Sequence, residues 1–418
     1  MAQLSNDCFA IEDAIRSIDQ AVAAIAGRLG AIDRVQFVPL ASADGRILAK
    51  DLIAGFPLPP FANSAVDGYA VRGDDLPVGV ERSFVVAGRV QAGMPPVERV
   101  APGHCVRIFT GAPMPGGTDT VFMQEDVRAD GAENVILPPG LKRGANARPA
   151  GEDVAEGHVA LTAGRRLRPQ DVALAAALGR TELEVRERVR VTVFSTGDEI
   201  VNPGTPRKEH QLFDSNRVML IAMLRRLDCE VIDLGILGDE PSSIASALTS
   251  AARASDLIIT SGGVSTGDAD FVKASLESIG TLVFWRMAIK PGRPVAMGVV
   301  EGKPFIGLPG NPVASFVTFV SLVRPAVFAL AGAQQSPSIV TPVRAAFSYR
   351  KKAGRREYVR VSLKRGEDGM IEATKFPREG AGLLSSLVGT DGLVELAEDV
   401  TGVEPGHMID FRDYQSVL

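Results

Sequence analysis

Cysteine and histidine are scarce in this 418-residue chain, which has three cysteines and four histidines. Cys8, Cys105 and Cys229 lie far apart in the sequence, which argues against a disulfide framework or a CxxC site and fits a reducing compartment. The histidines show no metal-ligand spacing. The sequence therefore disfavours both a disulfide-stabilised secreted domain and a zinc enzyme.

Long apolar runs and an excess of one charge are also lacking. No stretch approaches the roughly 18 apolar residues that a membrane span needs, and the N-terminus carries early acids in place of a signal-peptide core. The 45 basic and 50 acidic residues give a formal net charge of −5, whereas a protein that attracts nucleic-acid phosphates is expected to be basic. We therefore predict a cytoplasmic protein with neither a membrane nor a nucleic-acid partner.

Several hydrophobic patterns follow one another along the chain. Residues 10–26 have apolar side chains at helical spacing, and residues 35–147 form short apolar runs between Gly and Pro clusters, which indicates β structure. From about 189 to 330, apolar strands alternate with helix-length segments, which predicts βαβ units and a mostly parallel sheet. Short strands return after about 336. The predicted fold is a multidomain α/β and β architecture with a central α/β domain, a β-rich N-terminal part and a small C-terminal β domain.

Three glycine-containing loops follow predicted strands of the α/β domain, at 195–199, 261–268 and 308–312. Glycines let the main chain approach a phosphate, and successive N–H groups form an anion-binding nest. Asn311 suits a helix N-cap and Pro312 the first helical position, which would leave the donors of the first turn free for an anion. Each loop alone is more often an ordinary βα turn, but three at one sheet edge predict a ligand crevice. The candidate binding residues are Ser195, Gly197, Gly262, Gly263, Ser265, Asp268, Pro309, Gly310, Asn311 and Pro312.

Acidic residues also follow strands of this predicted sheet, namely Glu199 after the first, Asp239 after the second, and Asp268 or Asp270 after the third. Carboxylates beside phosphate-binding loops would repel a polyanion unless a hard cation bridges them, and Mg²⁺ with oxygen ligands does so. Taken singly, each acid is more often a solvated surface charge or a complement to a helix dipole. Together they predict a magnesium site at this sheet edge.

Lys290 and Arg293 lie in the segment 287–294, MAIKPGRP, which connects two predicted strands. Alone, this segment is a plain loop with solvated cations. Beside an anion crevice it is a candidate oxyanion or phosphate clamp, with lysine as a point charge and arginine as a fork. Two segments of the N-terminal β region, 57–75 and 107–126, are also rich in proline and glycine. The first contains Asp67 and the second Thr110 as candidate polar residues.

Ser265 lies in a G-x-S-x-G pattern after a predicted strand and before a helix, the context of a hydrolase nucleophile elbow. Such a hydrolase needs a downstream acid followed by a histidine. The only later histidine is His407, in a β segment of a different predicted domain. A serine hydrolase that uses Ser265 is therefore disfavoured.

Taken together and in order, the strings of this chain resemble the molybdopterin molybdenumtransferase family. That family carries out the last step of molybdenum cofactor synthesis and is also found as the C-terminal part of gephyrin-type proteins. The resemblance covers nearly the whole chain. It rests on PFANSAVDGYA (60–70), RIFTGAPMPGGTDTV (107–121), STGDEI (195–200), SGGVSTGDADF (261–271), AIKPGRP (288–294) and GLPGNPVAS (307–315).

The resemblance implies a division of the chain into several parts. Residues 1–50 and 146–182 would form a helical, elongated dimerisation region, into which a β-rich lobe, residues 51–145, is inserted. Residues 183–332 would form an α/β domain of the molybdopterin-binding type, and residues 333–418 a C-terminal β domain. An elongated homodimer is implied, with each active site between the α/β domain of one subunit and the N-terminal β region of the other.

The activity that the resemblance implies is a transferase reaction. Adenylylated molybdopterin binds, molybdate is inserted at its dithiolene sulfurs, and AMP is released in a Mg²⁺-dependent hydrolysis. The catalytic residues implied by the family motifs are Asp67, Thr110, Glu199, Asp239, Asp270 and Lys290. Glu199, Asp239 and Asp270 are the implied Mg²⁺ ligands. Substrate binding is further implied for Arg286, where family members often have lysine, and for Arg148 near the domain junction, while Arg293 stays a candidate from the clamp segment.

Two other functions stay open at the level of sequence. STGDE and SGGVS also suit the related molybdopterin adenylyltransferases, which share only the α/β domain, and a non-catalytic scaffold would keep the same fold. The additional N-terminal and C-terminal regions favour the metal-inserting branch, and the acid and glycine-loop positions are all present. The adenylyltransferase and the enzymes that receive the cofactor are the expected further partners.

Overall fold

The residues that the computed structural model describes are 17–238, 240–263, 271–334 and 340–417. Asp239, Ser265, Asp268 and Asp270 lie outside these residues, as does the first part of the predicted N-terminal helix. The backbone of Arg286 belongs to a described strand, but its side chain is outside the description.

The described chain begins with a helix that packs on the central core. Helix α1 (Ile18–Ala26) begins at a capping box formed by Ser17, which satisfies backbone donors of its first turn. Its apolar face joins the hydrophobic cluster of the α/β domain. Strands β1 (Val35–Pro39) and β2 (Leu52–Ile53) follow.

The β-rich lobe is built on a 6-stranded sheet in the order β7-β4-β6-β5-β9-β8. Its close packing explains the glycine of the string DGYA, since a Cβ at Gly68 would lie 1.8 Å from the Phe122 carbonyl oxygen. The strands of the lobe are β3 (Asn63–Ser64), β4 (Gly68–Val71), β5 (Arg82–Val90), β6 (His104–Ile108), β7 (Thr120–Met123), β8 (Arg128–Asp130), β9 (Asn134–Leu137) and β10 (Ala147–Arg148).

The chain then returns to the strands that precede the lobe. β11 (Val159–Leu161) pairs with β2, and β12 (Glu182–Arg186) pairs antiparallel with β1, with helix α2 (Pro169–Ala177) between them. Arg34 ties this region to the α/β domain, because its guanidinium donates to both carboxylate oxygens of the buried Asp256 at 3.1 and 2.7 Å.

The α/β domain contains a 6-stranded sheet in the order β16-β13-β17-β21-β20-β18. The pairings β16–β13, β13–β17 and β17–β21 are parallel, whereas β20 and β18 add antiparallel strands at one edge. The mostly parallel sheet predicted from the sequence is thus confirmed. The elements are β13 (Arg190–Thr196), β14 (Ile200–Val201), β15 (Leu212–Phe213), α3 (Ser215–Arg226), β16 (Glu230–Leu237), α4 (Pro241–Ala254), β17 (Leu257–Ser261), α5 (Phe271–Ile279), β18 (Gly280–Arg286), β19 (Ile289–Lys290), β20 (Pro294–Val300), β21 (Lys303–Leu308), α6 (Pro312–Thr318), a π-helical segment (Phe319–Val323) and α7 (Arg324–Leu330).

A continuous apolar helix runs from Pro312 to Leu330. Its π-helical segment ends at Val323, two residues before Pro325, where the missing N–H and the ring of proline prevent the regular α-helical hydrogen bond. By length and composition this helix is apolar enough to cross a membrane, which the sequence pattern did not predict because Arg324 and Pro325 interrupt the run. In the fold, 72% of its most apolar window is buried within the protein.

The C-terminal β domain is a 6-stranded sheet in the order β19-β24-β25-β22-β28-β26. Its edge strand β19 comes from the α/β region, and Lys290 of β19 pairs in parallel register with Glu357. The sequence predicted only a connecting loop here, because a two-residue strand has no detectable period. The other elements are β22 (Thr341–Ala345), β23 (Tyr349–Arg350), β24 (Arg356–Arg365), β25 (Ile371–Lys375), α8 (Ser385–Val388), β26 (Gly392–Leu396), β27 (Gly402–Val403) and β28 (Met408–Asp413).

Candidate active site

The starts of the three predicted loops lie side by side at the carboxyl edge of the α/β sheet, and the second loop is described as far as Gly263. Ser195 is in register with Ser261, and Ser261 is in register with Leu308, so the loops begin from neighbouring strand ends. Gly262 donates its N–H to the Leu308 carbonyl at 3.1 Å. The second and third loops approach each other within van der Waals contact, since a Cβ built on Gly310 lies 4.0 Å from the Gly262 Cα.

Asn216, near the start of α3, connects two of these loops. Its buried amide nitrogen donates to Ser261 Oγ at 2.8 Å and to the Gly310 carbonyl at 2.7 Å. Nothing in the sequence singles out Asn216, because a polar residue in the first turn of a helix is common and its partners lie far away in the chain. The structure shows that it fixes the relative position of the second and third loops.

Glu199 lies at the tip of the first loop, with its carboxylate folded over Gly197. A Cβ on Gly197 would lie only 2.6 Å from Glu199 Oε2, and the backbone there has φ of +135°. The positive φ favours glycine at this position, whereas the carboxylate is the end of a flexible side chain that a Cβ would push aside. Glu199 is exposed, and within the described part of the chain its carboxylate has no hydrogen bond or ion pair, so its oxygens are available to a cation.

A cavity of roughly 320 Å³ lies between the third loop and the C-terminal sheet, within the range of small-molecule sites, about 300–1,000 Å³. Its lining includes Pro309 and Asn311 of this loop, together with Lys290 and Gly292 of the segment 287–294. The C-terminal domain supplies the opposite wall, which includes Tyr349, Tyr358, Arg360, Lys375, Arg378 and Glu379. Cationic side chains therefore outnumber carboxylates in this cavity.

Lys290 is the cationic group that joins the two walls. Its Nζ donates to the Tyr349 hydroxyl at 3.2 Å and lies 3.5 Å from Glu357 Oε2. The lysine side chain is 43% exposed, whereas the Glu357 side chain is only 1% exposed. Tyr349 in turn donates its hydroxyl to Glu357 at 2.7 Å. Burial, and then the hydrogen bond to Glu357, raise the pKa of Tyr349, so the phenol stays protonated.

Arg360 is a second cation of the cavity, and the sequence did not single it out. It is buried, its Nη1 donates to the Gly380 carbonyl at 2.9 Å, and its buried Nε has no hydrogen-bond partner among the described residues. Burial lowers the pKa of this guanidinium. Arg360 lines the cavity, and a guanidinium presents a planar set of N–H donors that suits an oxyanion. Its strand, β24, resembles any alternating strand in sequence, so only the tertiary structure identifies it.

Asp67 and Thr110 meet on the β-rich lobe, away from the two walls just described. Thr110 donates its backbone N–H at 2.8 Å and its hydroxyl at 2.7 Å to the same oxygen, Asp67 Oδ1. These bonds, the backbone bond first, hold the pKa of Asp67 below its ordinary value. The exposed Arg148 lies in the adjoining strand pair β3–β10, opposite Asn63. Within the described ranges, Asp67 and Thr110 make no hydrogen bond or ion pair to the α/β loops.

Two predicted features of the anion site differ in the structure. Asn311 is the N-cap residue and Pro312 the first helical residue, as predicted, but the N–H of Val313 donates to the Ala381 carbonyl at 2.9 Å. The donors of this first turn are therefore not all free, because the C-terminal domain occupies one of them. Arg293 is exposed and is absent from the cavity lining, whereas Lys290 is part of it.

The predicted magnesium ligands are only partly within the described chain. Among the residues that the structure describes, no three His, Cys, Asp or Glu side chains are grouped closely enough to hold a metal ion. Two of the three predicted ligands, Asp239 and Asp270, lie outside that part. Glu199 alone is placed, at the sheet edge.

Comparison with known proteins shows that this fold belongs to the class of molybdenum cofactor biosynthesis proteins. Residues 11–179 match the MoeA N-terminal region (domain I and II), residues 192–329 a probable molybdopterin binding domain, and residues 342–414 the MoeA C-terminal region (domain IV). The chain belongs to the molybdopterin molybdenumtransferase family, a family of transferases, as the resemblance of its motifs predicted.

Similar proteins match along nearly their whole length. The chain is 39% identical over 404 residues to the molybdopterin molybdenumtransferase of Haemophilus influenzae, covering 96% of this chain and 99% of that protein. It is 35% identical over 388 residues to molybdopterin molybdenumtransferase 2 of Mycobacterium tuberculosis, covering 90% and 94% respectively. The crystal structure of the molybdopterin biosynthesis MoeA protein from Pyrococcus horikoshii OT3 superposes with a TM-score of 0.81 at 29% identity, covering 96% of this chain and 100% of that one.

Proposed function

We propose that this protein is a molybdopterin molybdenumtransferase, which inserts molybdate into adenylylated molybdopterin and releases AMP with the help of Mg²⁺. The observation that supports this proposal most directly is that the third loop (308–312) contacts both the start of the second loop and the cationic cavity. Gly310 is held beside the second loop by Asn216, while Pro309 and Asn311 line the cationic cavity. A substrate whose phosphates lie on the loops would thus extend directly toward an oxyanion in the cavity.

Lys290 and Arg360 are the residues we assign to molybdate. Molybdate is a tetrahedral oxyanion, and an ammonium together with a guanidinium provides charge and directional donors for it. Asn311 adds an uncharged polar group from the loop, because it lies at an N-cap without a capping hydrogen bond from its side chain. Tungstate has the same charge and shape, so we expect the cavity to accept it as well.

Glu199 is the described residue that would hold Mg²⁺, since it offers exposed hard oxygen donors without a cationic partner in the described chain. When bound there, Mg²⁺ would screen the phosphates of the substrate from the acidic side chains of the sheet edge. Asp239 and Asp270 are proposed as the other ligands on the family motifs. The backbone N–H groups of the loops would hold the phosphates themselves.

We place Asp67 and Thr110 in the active site of the second subunit of a homodimer, together with Arg148. The depressed pKa of Asp67 keeps its carboxylate charged, and the hydroxyl of the exposed Thr110 donates to it. The pair would position the reacting phosphate or the attacking group. Mixing Asp67→Ala with Glu199→Ala tests the shared site: a heterodimer then has one intact site, and AMP release recovers. If each chain contained a complete site, the mixture would stay as inactive as either variant alone.

The assay for the proposed function is AMP release from adenylylated molybdopterin in the presence and absence of molybdate. Release that depends on molybdate is expected, with no formation of adenylylated molybdopterin from ATP. The reverse pattern would assign the chain to the adenylyltransferases, and neither activity would indicate a scaffold. The cavity walled by the C-terminal domain favours molybdate insertion, because the adenylyltransferases share only the α/β domain. We place the activity in the cytoplasm, where the free Cys105 and Cys229 would stay reduced.

A further inference from the structure

Lys290 is held by a chain of two buried groups from the C-terminal domain. Tyr349 donates its hydroxyl to Glu357 Oε2 at 2.7 Å, so the phenol oxygen can only accept on its other side, where Lys290 Nζ donates at 3.2 Å. The second carboxylate oxygen, Oε1, accepts from Arg355 Nε at 2.6 Å. Each hydrogen bond in this chain therefore has a fixed direction, and it ends at the ammonium of Lys290.

The backbone supports the same arrangement. Lys290 lies on β19, the edge strand of the C-terminal sheet, in parallel register with Glu357 on β24. Residues in register on neighbouring strands place their Cβ atoms close together on one face. The carboxylate is thus built into the sheet directly beside the lysine, and its 1% exposure excludes a role in contacting substrate.

We propose that Glu357 and Tyr349 are positioning residues for the molybdate-binding step, which orient the Lys290 ammonium toward the cavity. This inference rests on the function proposed above. A lysine ammonium has three donors, and the bond to Tyr349 uses one. The ammonium also lies 3.5 Å from Glu357 Oε2, so a second donor faces the carboxylate, and the remaining donor is directed at the oxyanion. Without Tyr349 and Glu357, a half-exposed lysine side chain would sample many rotamers, and its ordering would have to accompany binding of the oxyanion.

Tyr349→Phe is the informative variant, because it removes one oxygen and keeps the ring that packs in the cavity wall. We expect the KM for molybdate to rise about tenfold, as for the loss of a hydrogen bond to a charged group, with kcat within about twofold of wild type. Glu357→Gln keeps the shape and removes the charge, and we expect a rise in the same direction. Tyr414→Phe is the matched control, since its hydroxyl contacts Thr390 at 2.9 Å in the same domain and not Lys290.

A double-mutant cycle shows whether the effect passes through Lys290. In a Lys290→Met background, Tyr349→Phe should change the KM for molybdate no further. An equal rise in both backgrounds, a fall in kcat at unchanged KM, or the same rise in Tyr414→Phe would each overturn the positioning role.

Calorimetric titration of molybdate into the protein separates this inference from the proposed function, because it needs no turnover. Weaker molybdate binding by Tyr349→Phe than by wild type and Tyr414→Phe would support the positioning role even if AMP release were absent. Equal binding by all three proteins would refute it even if AMP release were present.

Discussion

Thr110 donates two hydrogen bonds to a single oxygen of Asp67, one from its backbone and one from its hydroxyl, at 2.8 and 2.7 Å. The backbone and the side chain of Thr110 together set the position of the Asp67 carboxylate and lower its pKa. The chemical consequence is a carboxylate that stays charged in mildly acidic solution.

Removing the Thr110 hydroxyl should shift the acid limb of the pH–rate profile. The pKa of Asp67 lies below its ordinary value because of Thr110, so Asp67 is ionised above that lowered pKa and loses its charge only as the pH falls through it. Thr110→Val removes one of the two bonds, the pKa rises, and the acid limb of AMP release moves to higher pH. Thr118→Val is the control, because its hydroxyl donates to the Pro115 carbonyl at 2.7 Å in the same loop. If the acid limb of the pH–rate profile did not shift in Thr110→Val, ionisation of Asp67 would not control the rate of AMP release.

Gly197→Ala should abolish AMP release at a small cost in stability. The new Cβ would collide with the Glu199 carboxylate at 2.6 Å and displace it from the loop. Gly204→Ala is the matched control, because Gly204 also has a positive φ, +85°, but nothing lies within 4 Å of the position that a Cβ would take there. Both variants should lose roughly 1–2 kcal/mol from backbone strain, measured by chemical denaturation. Only Gly197→Ala should lose activity, and equal activities would show that the position of Glu199 is unimportant.

Arg360→Met should weaken molybdate binding by about tenfold or more, because the charge-assisted hydrogen bonds of the guanidinium are lost. The apolar replacement fills much of the same buried space, so the fold should survive. Arg365→Met, at the exposed end of the same strand, should keep the KM for molybdate within about twofold of wild type. A normal KM in Arg360→Met would exclude the arginine from the oxyanion site.

Asn216→Ala should both destabilise the protein and impair binding of adenylylated molybdopterin. The buried Ser261 hydroxyl and the carbonyl of the exposed Gly310 would lose their shared donor, and leaving the Ser261 hydroxyl unsatisfied costs about 1–3 kcal/mol. The two loops would then no longer be held in register, and the KM for adenylylated molybdopterin should rise while that for molybdate changes less. A destabilised variant with an unchanged KM would assign Asn216 a purely structural role.

The sequence predicts the parts of the site that depend on local pattern. Apolar strands followed by glycine loops predict that Ser195, Ser261 and Leu308 lie at the carboxyl edge of one sheet, where a ligand crevice forms. It also predicts the N-cap position of Asn311, which depends only on the next residue. The order of the motifs is sufficient to identify the family.

The parts that the sequence does not predict all involve contacts between distant segments. Nothing local to Lys290 indicates that its strand joins the sheet of another domain, and nothing local to Arg360 distinguishes it from other strand arginines. Asn216 likewise becomes important only when its partners on two other loops are known. The Val313 N–H is occupied for the same reason, since its acceptor belongs to a domain that folds on the other side of the cavity.

Because Lys290 lies on a strand of the C-terminal sheet, its position depends on the packing of that domain. Because β19 is the edge strand of the C-terminal sheet, a tilt or loosening of that sheet should move the Lys290 ammonium relative to the loops at the edge of the α/β sheet, which begin from different strands. We therefore expect substitutions in the interior of the small domain, such as at Val361 or Phe411, to change the distance between the ammonium and these loops without contacting either of them.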